Sequence, residues 1–245
     1  MKTEILFGIH PVYEALKAGK RSFIELYVSK DKPRLSMRLK QTISLAESFG
    51  IPVKTLSLKN MHKITGSEIH QGIGAKVSVY SFADISDLFD NPEPFILILD
   101  SIVDTHNLGA LVRTAQCAGV SGIIIPKDRA AGPTPGVSKA SAGALEHVSL
   151  IQAVNLVNII KELKKKGIWI FGLAPDARQS VFEKDFKGPA AIIVGGEEKG
   201  IRPIVKKQCD FLLSIPQQGH INSLNASVAG AVVMYEAFRQ RYSVP

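Results

Sequence analysis

Five short runs, "FILILD" (95–100), "GIIIP" (122–126), "IWIFGL" (168–173), "AAIIVGG" (190–196) and "FLLSI" (211–215), carry almost nothing but Ile, Leu, Val, Phe, Ala and Gly. They are too short for buried helices, rich in β-branched residues, and lack the polar alternation of a half-exposed strand. A strand apolar on both faces must be covered on both faces, which is the condition of a parallel sheet flanked by helices. The segments between them supply the helices. Leu108, Leu111, Val112 and Ala115 fall at helical spacing, 151–166 reads as a second helix, and a long final helix starts near Ser223. Shorter helical stretches are expected within 136–145 and 203–208. The second two-thirds of the chain is therefore predicted to be α/β with a parallel sheet.

The first 75 residues form a separate pattern. "HPVYEALKAG" reads as a short helix closed by Gly19, "FIELYVS" as a strand, and "LSMRLKQTISLAESFG" as an amphipathic helix. "VKTLSL" reads as a strand, "NMHKITG" as a short helix, and "HQGIGAKVSVY" ends in a strand. Residues 76–94, ending in the acidic, proline-bearing "SFADISDLFDNPEP", are predicted to be a linker, with 95–245 as the second domain.

Charge follows the same division. Of a net +8, most lies in residues 1–75, which hold 12 Lys and Arg against 6 Asp and Glu. A basic module beside a near-neutral body fits a polyanion binder attached to a catalytic domain. No apolar run reaches the roughly 18 residues of a membrane span, and the N-terminus lacks a signal peptide's core. Cys117 and Cys209 have no CxxC spacing, so a reduced, cytoplasmic protein without a disulfide is expected. The six histidines show no metal-ligand spacing, and no metal is expected.

Three loops follow predicted strands: 104–109, 195–200 ("GGEEKG") and 216–223 ("PQQGHINS"). Open α/β sheets bind ligands at that edge. In the first loop Asn107 reads as the N-cap of a helix beginning at Leu108. Arg113 lies on the flank of its apolar stripe and can lean back toward the strand end. No GxGxxG opens a βαβ unit, "GPTPGVSK" fails the phosphate-loop spacing, and no GxSxG elbow occurs. Composition and spacing alone reach an α/β ligand binder with a basic module.

Taken together, "NLGALVRTA", "IIVGGEEKGI" and "IPQQGHINSLNASVAGAVVMYEA" resemble motifs 1, 2 and 3 of the SpoU/TrmH family of RNA 2′-O-ribose methyltransferases, in that order. The resemblance spans nearly all of 95–245, and "FGIHPVYEAL" and "HQGIGAKV" resemble the RNA-binding extension of members acting on 23S ribosomal RNA. It implies a trefoil-knotted SPOUT domain, an L30e-like N-terminal RNA-binding domain, S-adenosyl-L-methionine (AdoMet) as cofactor, and a homodimer. It further implies 2′-O-methylation of a ribose, a guanosine in the ribosomal members, with RNA rather than DNA as partner. A transfer RNA enzyme of the same family and a non-catalytic RNA-binding or ribosome-assembly protein are the competing readings.

The same resemblance names the site. Asn107 and Arg113 match motif 1, Glu197 motif 2, and Ser223 and Asn225 the polar pair of motif 3. Arg113 would be the base or a phosphate clamp; a guanidinium does not readily give up its proton, which favours the clamp. Cofactor contacts would come from Leu173, Gly196, Ile201, Ile215, Ser223 and Leu224. Glu198 stands where the family normally has glycine, and Glu146 matches a glutamate that would support the site. Small residues of the last helix (Ala226, Ser227, Ala229, Gly230, Ala231) suit either a dimer interface or close internal packing.

Overall fold

A computed structural model describes residues 1–31, 36–219 and 223–242. In chain order its elements are β1 (Thr3–Phe7), α1 (Ile9–Ala18), β2 (Phe23–Ser29), α2 (Met37–Ser48), β3 (Val53–Leu56), α3 (Leu58–Thr65) and β4 (Ile73–Ser78). Then come β5 (Phe95–Asp100), α4 (Thr105–Cys117), β6 (Gly122–Pro126), α5 (Pro135–Ala140), β7 (Leu150–Ala153), α6 (Leu156–Lys165) and β8 (Trp169–Leu173). The chain finishes with β9 (Gln179–Ser180), β10 (Ala190–Gly195), α7 (Pro203–Lys206), β11 (Phe211–Ser214) and α8 (Ala226–Arg241). Two compact units result: Met1–Ser81 with Pro133–His147, and Phe82–Gly132 with Val148–Pro245.

The first unit is a four-stranded mixed sheet in the order β1-β4-β2-β3, with β2 and β3 parallel and the other pairs antiparallel. Leu6, Leu16, Leu26, Leu39 and Ile73 form its core. The strand β1 has no counterpart among the sequence expectations; "TEILF" exposes Thr3, buries Leu6 and Phe7, and pairs along β4. The segment 133–147 joins this unit through a buried ion pair. Arg21 Nε donates to Glu146 Oε2 at 2.7 Å and Nη2 to Oε1 at 3.0 Å, while Ser138 Oγ donates to Oε1 at 3.1 Å. Glu4 is a further partner of Arg21. Burial alone would lower the Arg21 pKa, but the bonds to Glu146 and Glu4 outweigh it and hold the guanidinium above its ordinary value. Glu146 is thus committed to packing of the first unit, with both carboxylate oxygens engaged.

The second unit is a seven-stranded sheet, β7-β6-β5-β10-β8-β11-β9, parallel throughout. Every residue of β5 and β6 is buried, as continuous apolar runs require. The expected helix over 151–166 divides into β7 and α6. Asn155 Oδ1 accepts from the amides of Val157 and Asn158, so the helix begins only there, and "LIQA" is free to pair with β6. Within 76–94, Ile85–Asp90 forms a 3-10 turn capped by Asp84, and its Leu88 is buried in the second unit's core. Gly122 accommodates it: a Cβ there would stand 2.3 Å from Leu88 Cδ2.

Candidate active site

The site sits at the C-terminal ends of β5, β8, β10 and β11, on either side of the strand where the order of the sheet reverses. The turn after β5 starts α4 earlier than the sequence suggested. Asp104, not Asn107, is the N-cap, its carboxylate accepting from the His106 amide at 2.9 Å. Asn107 is therefore the third residue of α4, and its side chain is free to make other contacts. It donates to Glu197 Oε1 and accepts from Asn225 Nδ2 at 3.1 Å.

Asn225 completes a three-residue cluster. Its Nδ2 also donates to Glu197 Oε1 at 2.8 Å, and its Oδ1 accepts from the Ser227 amide at 2.8 Å as the N-cap of α8. One residue thus fixes the start of α8 and the position of a loop carboxylate. Among the described residues Glu197 Oε2 has no hydrogen-bond partner, which leaves it as the acceptor open to a bound group.

Glu197 is carried by a closed turn. The Gly200 amide donates to Gly196 O at 2.8 Å, and the Gly196 amide donates to Asp100 O at 2.9 Å. A Cβ on Gly195 would lie 2.1 Å from Gly200 C, and one on Gly196 2.5 Å from Ser101 O. Only glycine permits that approach of one loop's backbone to another. Asp100, fully buried, accepts from the Arg202 amide at 2.8 Å and from Arg202 Nε at 2.7 Å.

Against this turn opens a cavity of about 660 Å³, within the range of small-molecule sites. Leu173, Gly196, Ile201, Ile215, Ser223 and Leu224 all line it, as do Glu197 and Glu198. Asn107 and Asn225 lie behind Glu197 rather than on the wall. Arg113 is exposed on α4, off the cavity wall, with no hydrogen bond or ion pair among the described residues. Asp176 and Lys206 pair at 3.1 Å on the rim, and the lysine holds the Asp176 carboxyl below its ordinary range. Residues 220–222 of motif 3 lie outside the described residues.

These walls suit an adenosyl sulfonium. Bare glycine backbone lets a flat purine approach, the aliphatic side chains cover it, and the carboxylates of Glu197 and Glu198 suit a positive centre. Gly230 serves the packing of α8 on α4 instead, since a Cβ there would stand 2.4 Å from Leu111 Cδ2. Sequence reasoning missed Asp100 and Arg202. The signal was present, because a carboxylate ending a wholly apolar strand must be paired to be buried.

A model of the SpoU rRNA Methylase family matches residues 94–235, and a model of RNA 2′-O ribose methyltransferase substrate binding matches residues 5–83. The 23S rRNA (guanosine-2′-O-)-methyltransferase RlmB of Shewanella oneidensis is 42% identical over 246 residues, 99% of each chain. The putative TrmH family tRNA/rRNA methyltransferase YacO of Bacillus subtilis is 38% identical, over 98% of this chain and 97% of that one. Among solved structures, the SpoU methyltransferase AviRb from Streptomyces viridochromogenes, in complex with AdoMet, superposes with a TM-score of 0.83. That match covers 96% of this chain and 89% of the other at 21% identity, and is a likeness of fold.

Proposed function

The chain belongs to the SpoU rRNA methylase family of RNA 2′-O-ribose methyltransferases, and from that membership we propose that it methylates the ribose 2′-hydroxyl of a guanosine in 23S ribosomal RNA, with AdoMet as methyl donor. The observation that carries the reading is the Asn107–Glu197–Asn225 cluster, whose Glu197 lines a cavity walled in part by bare glycine backbone. The guanosine and the 23S RNA rest on the RlmB relatives, which are similar to this chain along their whole length.

When bound, AdoMet supplies an electrophilic methyl group on a sulfonium. Leu173, Ile201, Ile215 and Leu224 hold its apolar part and exclude water, and the Gly195–Gly196 backbone lets it approach. A ribose hydroxyl is a weak nucleophile, so the protein contributes mainly alignment and a place for the proton. Glu197, with one oxygen fixed by two amides, offers the other as a rigid acceptor. Ser223 lies on the same wall as a second polar contact. Arg113, exposed and always charged, is suited to clamp an RNA phosphate rather than to accept a proton.

Residues 1–75, together with the 133–147 segment that belongs to the same unit, act as the RNA-binding module, and the rest of 95–245 acts as the methyltransferase body, with 76–94 joining them. The protein works as a homodimer: Val103, Val228 and Tyr235 leave roughly half or more of their surface exposed on the turn before α4 and on α8. Among the described residues no helix is long and apolar enough to cross a membrane. The test is to present labelled AdoMet with unmodified 23S RNA and, separately, with bulk transfer RNA. Label in 23S RNA supports the proposal, and label in transfer RNA alone overturns it.

A further inference from the structure

We propose that Asp100 and Arg202 form a clamp that positions Glu197, a role that rests on the function proposed above. The turn bearing Glu197 leaves β10 at Gly195 and ends at Ile201, and the clamp holds both of its ends against β5. At the entry, the Gly196 amide donates to Asp100 O at 2.9 Å. At the exit, the Arg202 amide donates to Asp100 Oδ2 at 2.8 Å and Arg202 Nε to Oδ1 at 2.7 Å. Ser101 Oγ adds a third bond to the carboxylate at 3.2 Å.

Three features set this apart from an ordinary surface pair. The Asp100 side chain is 0% exposed, so its charge is tolerable only because the arginine and the amide meet it. Asp100 uses its backbone oxygen for one end of the turn and its carboxylate for the other, so the two ends cannot separate while β5 stays in place. Neither residue lines the cavity, so neither acts by touching the ligand. The chain between the two anchors is only a few residues long and is closed by the Gly196–Gly200 bridge. Glu197, the residue next to the entry anchor, therefore inherits its place from the clamp and meets Asn107 and Asn225 there.

The test is a double-mutant cycle in the full chain. Arg202→Met should reduce kcat by about 100-fold, the scale expected of a small misplacement, with KM for RNA unchanged. In a Glu197→Ala background, measured at saturating AdoMet so that Gly196 and Ile201 of the same turn are already engaged, the same substitution should cause no further loss in kcat. Equal losses in both backgrounds would overturn the inference. If Arg202→Met does not fold, Arg202→Lys, which keeps the charge and loses the Nε donor, enters the same cycle with the same two readings. A wild-type protein without transferase activity would refute the function proposed above instead. The clamp is then judged by hydrogen exchange of residues 195–202, faster in the arginine variant if it holds and unchanged if it does not.

Discussion

Asn225 donates to the Glu197 carboxylate across 2.8 Å while its own side-chain oxygen caps the first turn of α8. The two roles can be separated. Asn225→Ala should lose both, lowering stability by about 1 kcal/mol for the cap and reducing turnover at least tenfold. Asn225→Asp keeps a capping oxygen but sets a second carboxylate against Glu197. Its denaturation midpoint should stay near wild type while its turnover falls as far as the alanine variant's. Equal activity of Asn225→Asp and wild type would detach Asn225 from the site.

Much of the fold was legible because a parallel sheet writes itself as unbroken apolar runs. β5 and β6 coincide with "FILILD" and "GIIIP" residue for residue. β7 was not legible, since "LIQA" sits against an amphipathic helix and only the Asn155 cap divides them. The start of α4 was misplaced for a related reason. Asp104 and Asn107 are both good capping residues, and the choice is made by tertiary contact, which draws Asn107 to a glutamate 90 positions away. The same holds for Glu146, whose partner Arg21 is 125 positions distant. Strand content is local and readable, whereas pairing across distant loops is not.

Gly196 offers a test of the cofactor cradle. A methyl group there would stand 2.5 Å from the Ser101 carbonyl, so the turn must move. Gly196→Ala should weaken AdoMet binding at least tenfold by calorimetry. Far-ultraviolet circular dichroism should be unchanged, because the displacement is confined to one loop. Binding at wild-type strength would mean that the cavity is not the cofactor site.

The Arg21–Glu146 pair makes a prediction about stability alone. Removing one member of a buried pair leaves the other charge uncompensated, at a cost of about 3–5 kcal/mol. Arg21→Met should therefore shift the urea midpoint strongly, because Glu146 then keeps only the Ser138 hydroxyl, whereas Glu146→Ala leaves Arg21 its Glu4 partner and should cost less. A chain beginning at Pro94 should behave as badly, since it would expose Val137 and Leu145, both 0% accessible, along with the unpaired Glu146. A soluble, cooperatively unfolding fragment of that kind would contradict the assignment of 133–147 to the first unit.

Arg113 stands exposed and away from the cavity wall, so its effect should appear in turnover and not in cofactor binding. Arg113→Ala should abolish methyl transfer while AdoMet affinity stays near wild type. Arg113→Lys retains a point charge without the planar fork and should recover little activity if the contact is bidentate. Full activity of the alanine variant would remove Arg113 from the reaction.

The cluster at the ends of β5, β10 and β11 is expected to serve methyl transfer to a ribose oxygen of ribosomal RNA. The direct measurement is nucleoside mass spectrometry of unmodified 23S RNA after incubation with the protein and isotopically labelled AdoMet. One labelled product is expected, 2′-O-methylguanosine, formed by the wild-type protein and far more slowly, though measurably, by Glu197→Ala. A label found on a base, or label that the Glu197→Ala protein incorporates as fast as wild type, would contradict that expectation.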